Sequence, residues 1–401
     1  MVERVTQIEK FLCKGKSVFV LGPRSVGKSY YLKSVFGRLA NSMVLDLLSR
    51  ETYERYLREP QRFYEEVRQR LVDPSSSPLY VLVDEIQLLP SLLFEVHRLI
   101  EDYKGRCVFA LTGSSARKLK GSQADLLAGR ALGFRFFPLT SDEADFDSNL
   151  DRILQFGTMP EIFLEGDTDI VVETLRSYAS NYLQQEIKQE SIVRNLSGFS
   201  RFLELSAFSN GEPVNYSNIA RAASVSPDTV KEYYQILEDT LLGTMLPAWD
   251  RSVRKQLTKA PKFYFFDTGV INALRGELRT ETKKASYRYG RLFETMVVNE
   301  VLHRLMNLRL DFNAFHYRTN HGQEIDLILQ ANMAATPIAI DIKSSSCPNI
   351  SDVRPMLGFA EAFSNAKLLV LCTTPRAYNL EGIDFLPWQA GLHLVAEAIG
   401  Q

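Results

Sequence analysis

The chain has 401 residues, 45% hydrophobic and 24% charged, with a formal net charge of −1. That composition is globular, and the length exceeds one ordinary core, so two or three domains are expected. A near-zero net charge excludes whole-molecule attraction to nucleic acid or membrane, so any such partner must be met by a local patch. Cys13, Cys107, Cys347 and Cys372 are scattered, which suits buried thiols better than disulfides or a zinc site. No run approaches the ~20 apolar residues that span a bilayer. The N-terminus carries acidic residues and no long apolar segment, so no membrane partner and a cytoplasmic location are expected.

The first predicted strand, Ser17–Leu21, is apolar and β-branched. Gly22, Pro23, Arg24, Ser25, Val26, Gly27, Lys28 and Ser29 follow, matching G-x-x-x-x-G-K-[ST], and a helix starts at Tyr30. Strand, glycine loop and helix together make a phosphate site. The glycines let backbone N–H groups converge on phosphates, and the helix N-terminus adds partial positive charge. Gly22 to Tyr30 are therefore expected to hold a nucleotide, with Lys28 on its β- and γ-phosphates and Ser29 on Mg²⁺. Met43–Leu47 reads as the second strand, and Arg50 to Leu71 as a charged helical region broken at Pro60.

Leu79–Val83 is an unbroken apolar run ending in Asp84 and Glu85, as suits a central parallel strand. Ligands of open α/β sheets bind at carboxyl ends of strands, so Asp84 is placed to hold Mg²⁺ and Glu85 to polarise the attacking water. A helix through Leu92 to Leu99 and the strand Arg106–Leu111 follow. Thr112 or Ser114, at that strand's end, can sense the γ-phosphate or cap the next helix. The nucleotide is ATP or GTP.

The loop Gly22–Ser29, the acids at 84 and 85, Leu111–Ser115, Ala128-Gly129-Arg130 and Phe134–Leu139 resemble the AAA-type P-loop ATPases of bacteria and archaea. The closer resemblance is to the branch fused to a C-terminal, uncharacterised, nuclease-like domain. That resemblance implies a role for Arg130 as an arginine finger acting in trans, hence a homo-oligomer. A surface ion pair is the other reading of Arg130.

Residues 146–255 read as mostly helical. Thr174–Ile187 and Phe199–Phe208 have helical spacing, and Asn215–Leu237 has the cadence of a winged helix-turn-helix. Its second helix carries Asp228, Glu232, Glu238 and Asp239 against Lys231 alone, so a packing role is favoured over reading DNA.

From Lys262 the pattern changes again, to a strand at 263–266, a helix from Gly290 to about Met306, strands 314–318 and 324–329 around an Asn320-His-Gly322 turn, and a strand Ile338–Lys343. A helix over 351–365 and a closing strand 367–371 follow. Asp326, Asp341 and Lys343 have the spacing of a PD-(D/E)XK core. Side-chain alternation points Asp341 and Lys343 together, and Asp326 arrives from the preceding strand. Two adjacent carboxylates suit Mg²⁺, which could activate water for phosphodiester hydrolysis with Lys343 stabilising charge. Glu294, on the apolar stripe of its helix, needs a partner, either the metal or Lys343. The resemblance extends to Gly290–Glu294, Tyr317–Asp326 and Ile340–Ser345, although that family more often has Glu where this chain has Asp341. A structural ion pair around Lys343 is the competing reading.

The expected architecture is α/β: an AAA-type P-loop domain over 1–145, a helical and winged-helix domain over 146–255, and a restriction-endonuclease-like domain over 256–401. The expected activity is Mg²⁺-dependent ATP hydrolysis coupled to a nuclease-like domain acting on DNA or RNA. The alternative is a nucleotide-gated switch whose C-terminal domain binds without catalysis.

Overall fold

The computed structural model describes residues 2–71, 77–115, 127, 129–182, 195–250, 252, 256, 259–319, 322–332 and 334–400. Ala128 of the Gly-Arg turn, residues 183–187 of the expected helix, and Asn320 and His321 of the expected turn lie outside them. The chain divides into two compact units: Met1–Pro138 with Asp239–Leu242, and Leu139–Glu238 with Gly243–Gln401. The segments expected to form separate domains over 146–255 and 256–401 thus share one unit.

In the first unit, β1 (Ser17–Leu21), β2 (Ser42–Asp46), β3 (Leu79–Asp84), β4 (Cys107–Gly113) and β5 (Ala131–Arg135) form a sheet of order β2-β3-β4-β1-β5. Every pairing is parallel. Parallel strands need both faces covered, which is why β3 and β4 read as unbroken apolar runs. Helices α1 (Lys28–Phe36), α2 (Arg50–Arg58), α3 (Pro60–Arg70) and α4 (Leu92–Asp102) flank them. Tyr56, Phe63 and Val67 from α2 and α3 pack with Val96, Leu99, Val81, Val83, Phe109 and Leu111 in one buried cluster. Pro60 opens α3 at its first turn, where its missing N–H costs nothing. Strand β4 lies between β1 and β3, so three strands end side by side at one edge of the sheet.

In the second unit, α5 (Thr168–Ser177) begins earlier than expected, because Asp167 accepts hydrogen bonds from the Asp169 and Ile170 N–H groups. Helices α6 (Tyr216–Ala223) and α7 (Pro227–Asp239) follow, the latter started by Ser226 accepting from Thr229 N at 3.0 Å. Strands β6 (Gly243–Leu246) and β7 (Lys262–Phe265) pair antiparallel. The segments merge into one unit because Asp267 caps α8 (Thr268–Leu274) through Val270 N and also accepts Thr158 N at 2.8 Å. Asn272, on α8, donates to the Leu154 and Gln155 carbonyls.

The long helix α9 (Tyr287–Asn307) precedes β8 (Asn313–Arg318), β9 (Glu324–Gln330) and β10 (Ile338–Lys343). Helix α10 (Arg354–Ala362), β11 (Lys367–Cys372), β12 (Tyr378–Leu380), β13 (Ile383–Pro387) and α11 (Trp388–Gly400) complete the unit. The sheet order is β12-β13-β11-β10-β9-β8. It does not close at β11 as expected. Strand β13 pairs parallel with it, and its inward Phe385 and Ile383 extend the core of Trp249, Met356 and Phe359.

Candidate nucleotide site and the C-terminal carboxylate cluster

The P-loop is shaped by close backbone approach. Gly22 runs against the continuation of β5, where an added Cβ would stand 2.2 Å from the Phe136 carbonyl oxygen. Gly27 has φ 90° and starts α1, a conformation glycine adopts without strain. Within the loop, Val26 is fully buried. Arg4, which sequence reasoning missed, donates to the Val26 carbonyl at 3.1 Å and the Phe137 carbonyl at 2.6 Å, tying the loop to the strand beside it. Pro23 is buried, Arg24 half-buried, and Ser25 and Tyr30 are exposed at the loop's outer side.

Lys28 is 4% exposed, and its ammonium donates to the Gly22 and Pro23 carbonyls at 2.7 and 2.6 Å, folded over the loop. The Ser29 hydroxyl donates to Asp84 Oδ1 at 2.8 Å, joining the loop helix to the end of β3. A hydroxyl beside a carboxylate is a hard oxygen donor pair, which fits Mg²⁺. Lys33, one turn along α1, sits 3.6 Å from Asp84 and 2.8 Å from Asp46.

Thr112 is fully buried and faces inward. Its hydroxyl donates to Asp84 Oδ1 at 2.5 Å and accepts the Glu85 N–H at 2.9 Å. It orders the two acids from the neighbouring strand, a use that chain order alone does not reveal. Glu85 sits at φ 61°, a left-handed conformation costly for a residue with a Cβ. Gln87 holds its side chain, donating to Glu85 Oε2 and to Ser114 Oγ, the latter at 3.1 Å. Ser114 is thus part of the site's framework, and Gln87 is a member that no motif flagged. The Gln87 Oε1 atom is buried without a hydrogen-bond partner at this edge.

Arg130 is not brought to this site. Register pairs Ala131 with Ser17, at the opposite end of β1 from the P-loop. There Arg130 donates to Glu101 at 2.6 Å on the surface.

The C-terminal residues do assemble. Leu327 pairs with Ile340, which sets Asp326 opposite Asp341, and Ile342 N donates to Asp326 Oδ2 at 2.9 Å. Lys343 donates to Asp341 at 3.1 Å. Burial, followed by the charge of Asp326, pushes the Asp341 carboxyl well above its ordinary range. Burial also raises Asp326, but the Lys262 and Lys343 ammonium groups outweigh it and leave that carboxyl lowered. Burial lowers Lys343, and the two acids more than offset this, holding it at about 12.

The hydrogen-bond donors to Glu294 do not include Lys343, which feels its charge only at longer range. Tyr264 donates to it at 2.7 Å, Arg291 at 2.9 Å, and Lys262 lies 3.5 Å away. Lys262 and Tyr264 stand two apart on β7 and reach the same carboxylate, as strand alternation requires. Lys262 is fully buried, and its ammonium lies 3.4 Å from Glu324 and 3.8 Å from Asp326. The cation beside the acids expected to hold a metal is therefore a lysine. Among the described residues no group of three or more His, Cys, Asp or Glu is arranged to hold a metal ion. The signal for Lys262 was a lone lysine opening the aromatic run Phe263–Phe266.

Residues 14–144 match the family described as AAA domain. Residues 147–282 and 289–390 match two families described as domains of unknown function, DUF8612 and DUF4143. An uncharacterized protein of Mycobacterium tuberculosis is 24% identical over 358 residues, 88% of this chain and 76% of its own. One of Haemophilus influenzae is 24% identical over 307 residues, 71% of this chain and 74% of its own. The solved structure of the Aeropyrum pernix ORC1 protein in complex with DNA is a loose match. Its identity is 12% and its TM-score 0.31, over 68% of this chain and 91% of that one. No helix among the described residues is long and apolar enough to cross a membrane. The first unit carries an AAA-type P-loop domain.

Proposed function

We propose that this chain binds ATP with Mg²⁺ at Gly22–Ser29 and hydrolyses it, and that its nucleotide state gates the second unit as a switch. The observation that carries this is the Ser29–Asp84 hydrogen bond of 2.8 Å, which joins the first residues of the loop helix to the carboxyl end of a parallel strand. Lys28 is placed to leave the Gly22 and Pro23 carbonyls for phosphate oxygens, a stronger charge-assisted partner. Glu85 orients the attacking water and takes its proton, and Gln87 sets its direction. Ser29 and Asp84 would hold Mg²⁺, which supplies charge neutralisation at the phosphates when bound.

Steady-state phosphate release tests the reading. Lys28→Ala is expected to abolish turnover, and Glu85→Gln to keep ATP binding in calorimetry while turnover falls at least about 100-fold. Clean Lys28→Ala protein that still hydrolyses ATP, or folded wild type that takes up no nucleotide, refutes it. The trans role implied for Arg130 needs a second copy, and turnover per chain that does not change with protein concentration removes it.

A nuclease acting on DNA or RNA is the second reading, favoured by Asp326, Asp341 and Lys343 meeting at one point. Plasmid nicking in Mg²⁺ or Mn²⁺, lost in Asp341→Ala with ATPase activity intact, would support it.

A further inference from the structure

The C-terminal cluster is already supplied with cations and proton donors. Lys262 is nearly equidistant from three carboxylates, at 3.4 Å from Glu324, 3.5 Å from Glu294 and 3.8 Å from Asp326. A central position among acids is the one an ion takes. Both oxygens of each of these carboxylates are engaged. Glu294 Oε1 faces Tyr264 and Lys262, and its Oε2 faces Arg291. Glu324 Oε2 faces Lys262, and its Oε1 faces Arg318 at 3.1 Å. Asp326 Oδ1 faces Lys262, while its Oδ2 accepts the Ile342 N–H. Asp341 Oδ1 accepts from Lys343 and from the Ile342 N–H.

We infer that Lys262 is the built-in counter-ion of this cluster, occupying the place a divalent cation would take, so that the module is held by an internal ion-pair network and does not work through a bound metal. Three arguments converge. A metal needs oxygen lone pairs, and here both oxygens of Glu294, Glu324 and Asp326, and Oδ1 of Asp341, already face N–H or O–H groups. Four cationic side chains, Lys262, Arg291, Arg318 and Lys343, already face the carboxyl groups of Glu294, Glu324, Asp326 and Asp341, so a dication would bring uncompensated charge. The ammonium cannot move aside cheaply either, because it has no exposed surface and leaving its acids would strand a buried charge. The inference stands on β7 and the C-terminal sheet and does not depend on ATP hydrolysis.

Electron paramagnetic resonance of Mn²⁺ titrated into the nucleotide-free full chain tests it. Wild type and Asp341→Asn are expected to bind the same amount of Mn²⁺. Lys262→Met, which keeps the length and removes the charge, is expected to gain a Mn²⁺ site that is lost again when Asp326→Asn is added. Its melting temperature should fall by at least about 6 °C without metal and recover in part with Mn²⁺. Wild type that binds more Mn²⁺ than Asp341→Asn overturns the inference, as does a folded Lys262→Met that binds no more than wild type. If Lys262→Met does not fold, the comparison of wild type with Asp341→Asn decides alone.

Discussion

Replacing Thr112 by valine removes one hydroxyl and nearly preserves the shape of the side chain. In the fold that hydroxyl donates to Asp84 at 2.5 Å and accepts from Glu85 N at 2.9 Å, at a fully buried position. Losing a hydrogen bond to a charged acceptor costs about 1.5–3 kcal/mol, and leaving a buried N–H without a partner costs about 1–3 kcal/mol. The two overlap, so the first unit should lose roughly 2–4 kcal/mol, read as a lower denaturant midpoint at unchanged slope. The same hydroxyl fixes the direction of Asp84 and the left-handed turn at Glu85. If the first of these costs appears in the transition state, kcat falls about 10- to 150-fold. The Michaelis constant for ATP should move far less, because the P-loop amides and Lys28 are untouched. Thr112→Ser, which restores the hydroxyl, should recover most of both losses. The assay is steady-state phosphate release across ATP concentrations for the three proteins. A Thr112→Val protein within about twofold of wild-type kcat would refute the reasoning.

Two further predictions concern packing and pH. Gly22→Ala puts a Cβ 2.2 Å from the Phe136 carbonyl, whose strand is held by the Phe136 N–H to Leu21 at 2.7 Å. It should cost about 1–3 kcal/mol of stability and abolish nucleotide uptake in calorimetry. Glu300 is pushed up to about 7, first by burial and then by Asp142 and Glu143, with the Ser141 hydrogen bonds pulling the other way. The unfolded carboxyl ionises near 4.5, so between that value and about 7 the native state binds more protons, and stability falls as pH rises. His316, held neutral down to about 4 chiefly by burial, tilts stability the opposite way over part of that range. The readout is therefore the difference between Glu300→Gln and wild type in denaturant titrations. That difference should shift in favour of the variant by roughly 2–4 kcal/mol from pH 4.5 to pH 8, and a flat difference would contradict the assignment.

The candidate nucleotide site was legible because its parts are local in the chain. A glycine loop between an apolar strand and a helix is written in consecutive residues, and Asp84 with Glu85 ends the most apolar run nearby. The same holds for Asp341 and Lys343, where strand alternation alone puts two side chains together. Their neighbours were not legible, because sequence cannot state which distant strand comes to lie alongside. Strand β4 falls between β1 and β3, and only that order turns Thr112 inward onto Asp84 and sets Gln87 between Glu85 and Ser114. Which end of β1 Arg130 occupies was likewise not legible: strand register puts it at the end away from its own chain's P-loop, where Glu101 pairs with it. Lys262 is the sharpest case. Its own segment says only that a lysine opens an aromatic strand, and three acids from α9 and β9 decide that it is an ion at the centre of a cluster. Consecutive residues determine which chemical groups are present and which way each strand or helix points them. The packing of segments far apart in the chain decides which charges meet, because a buried charge takes its partner from whatever the fold brings within reach.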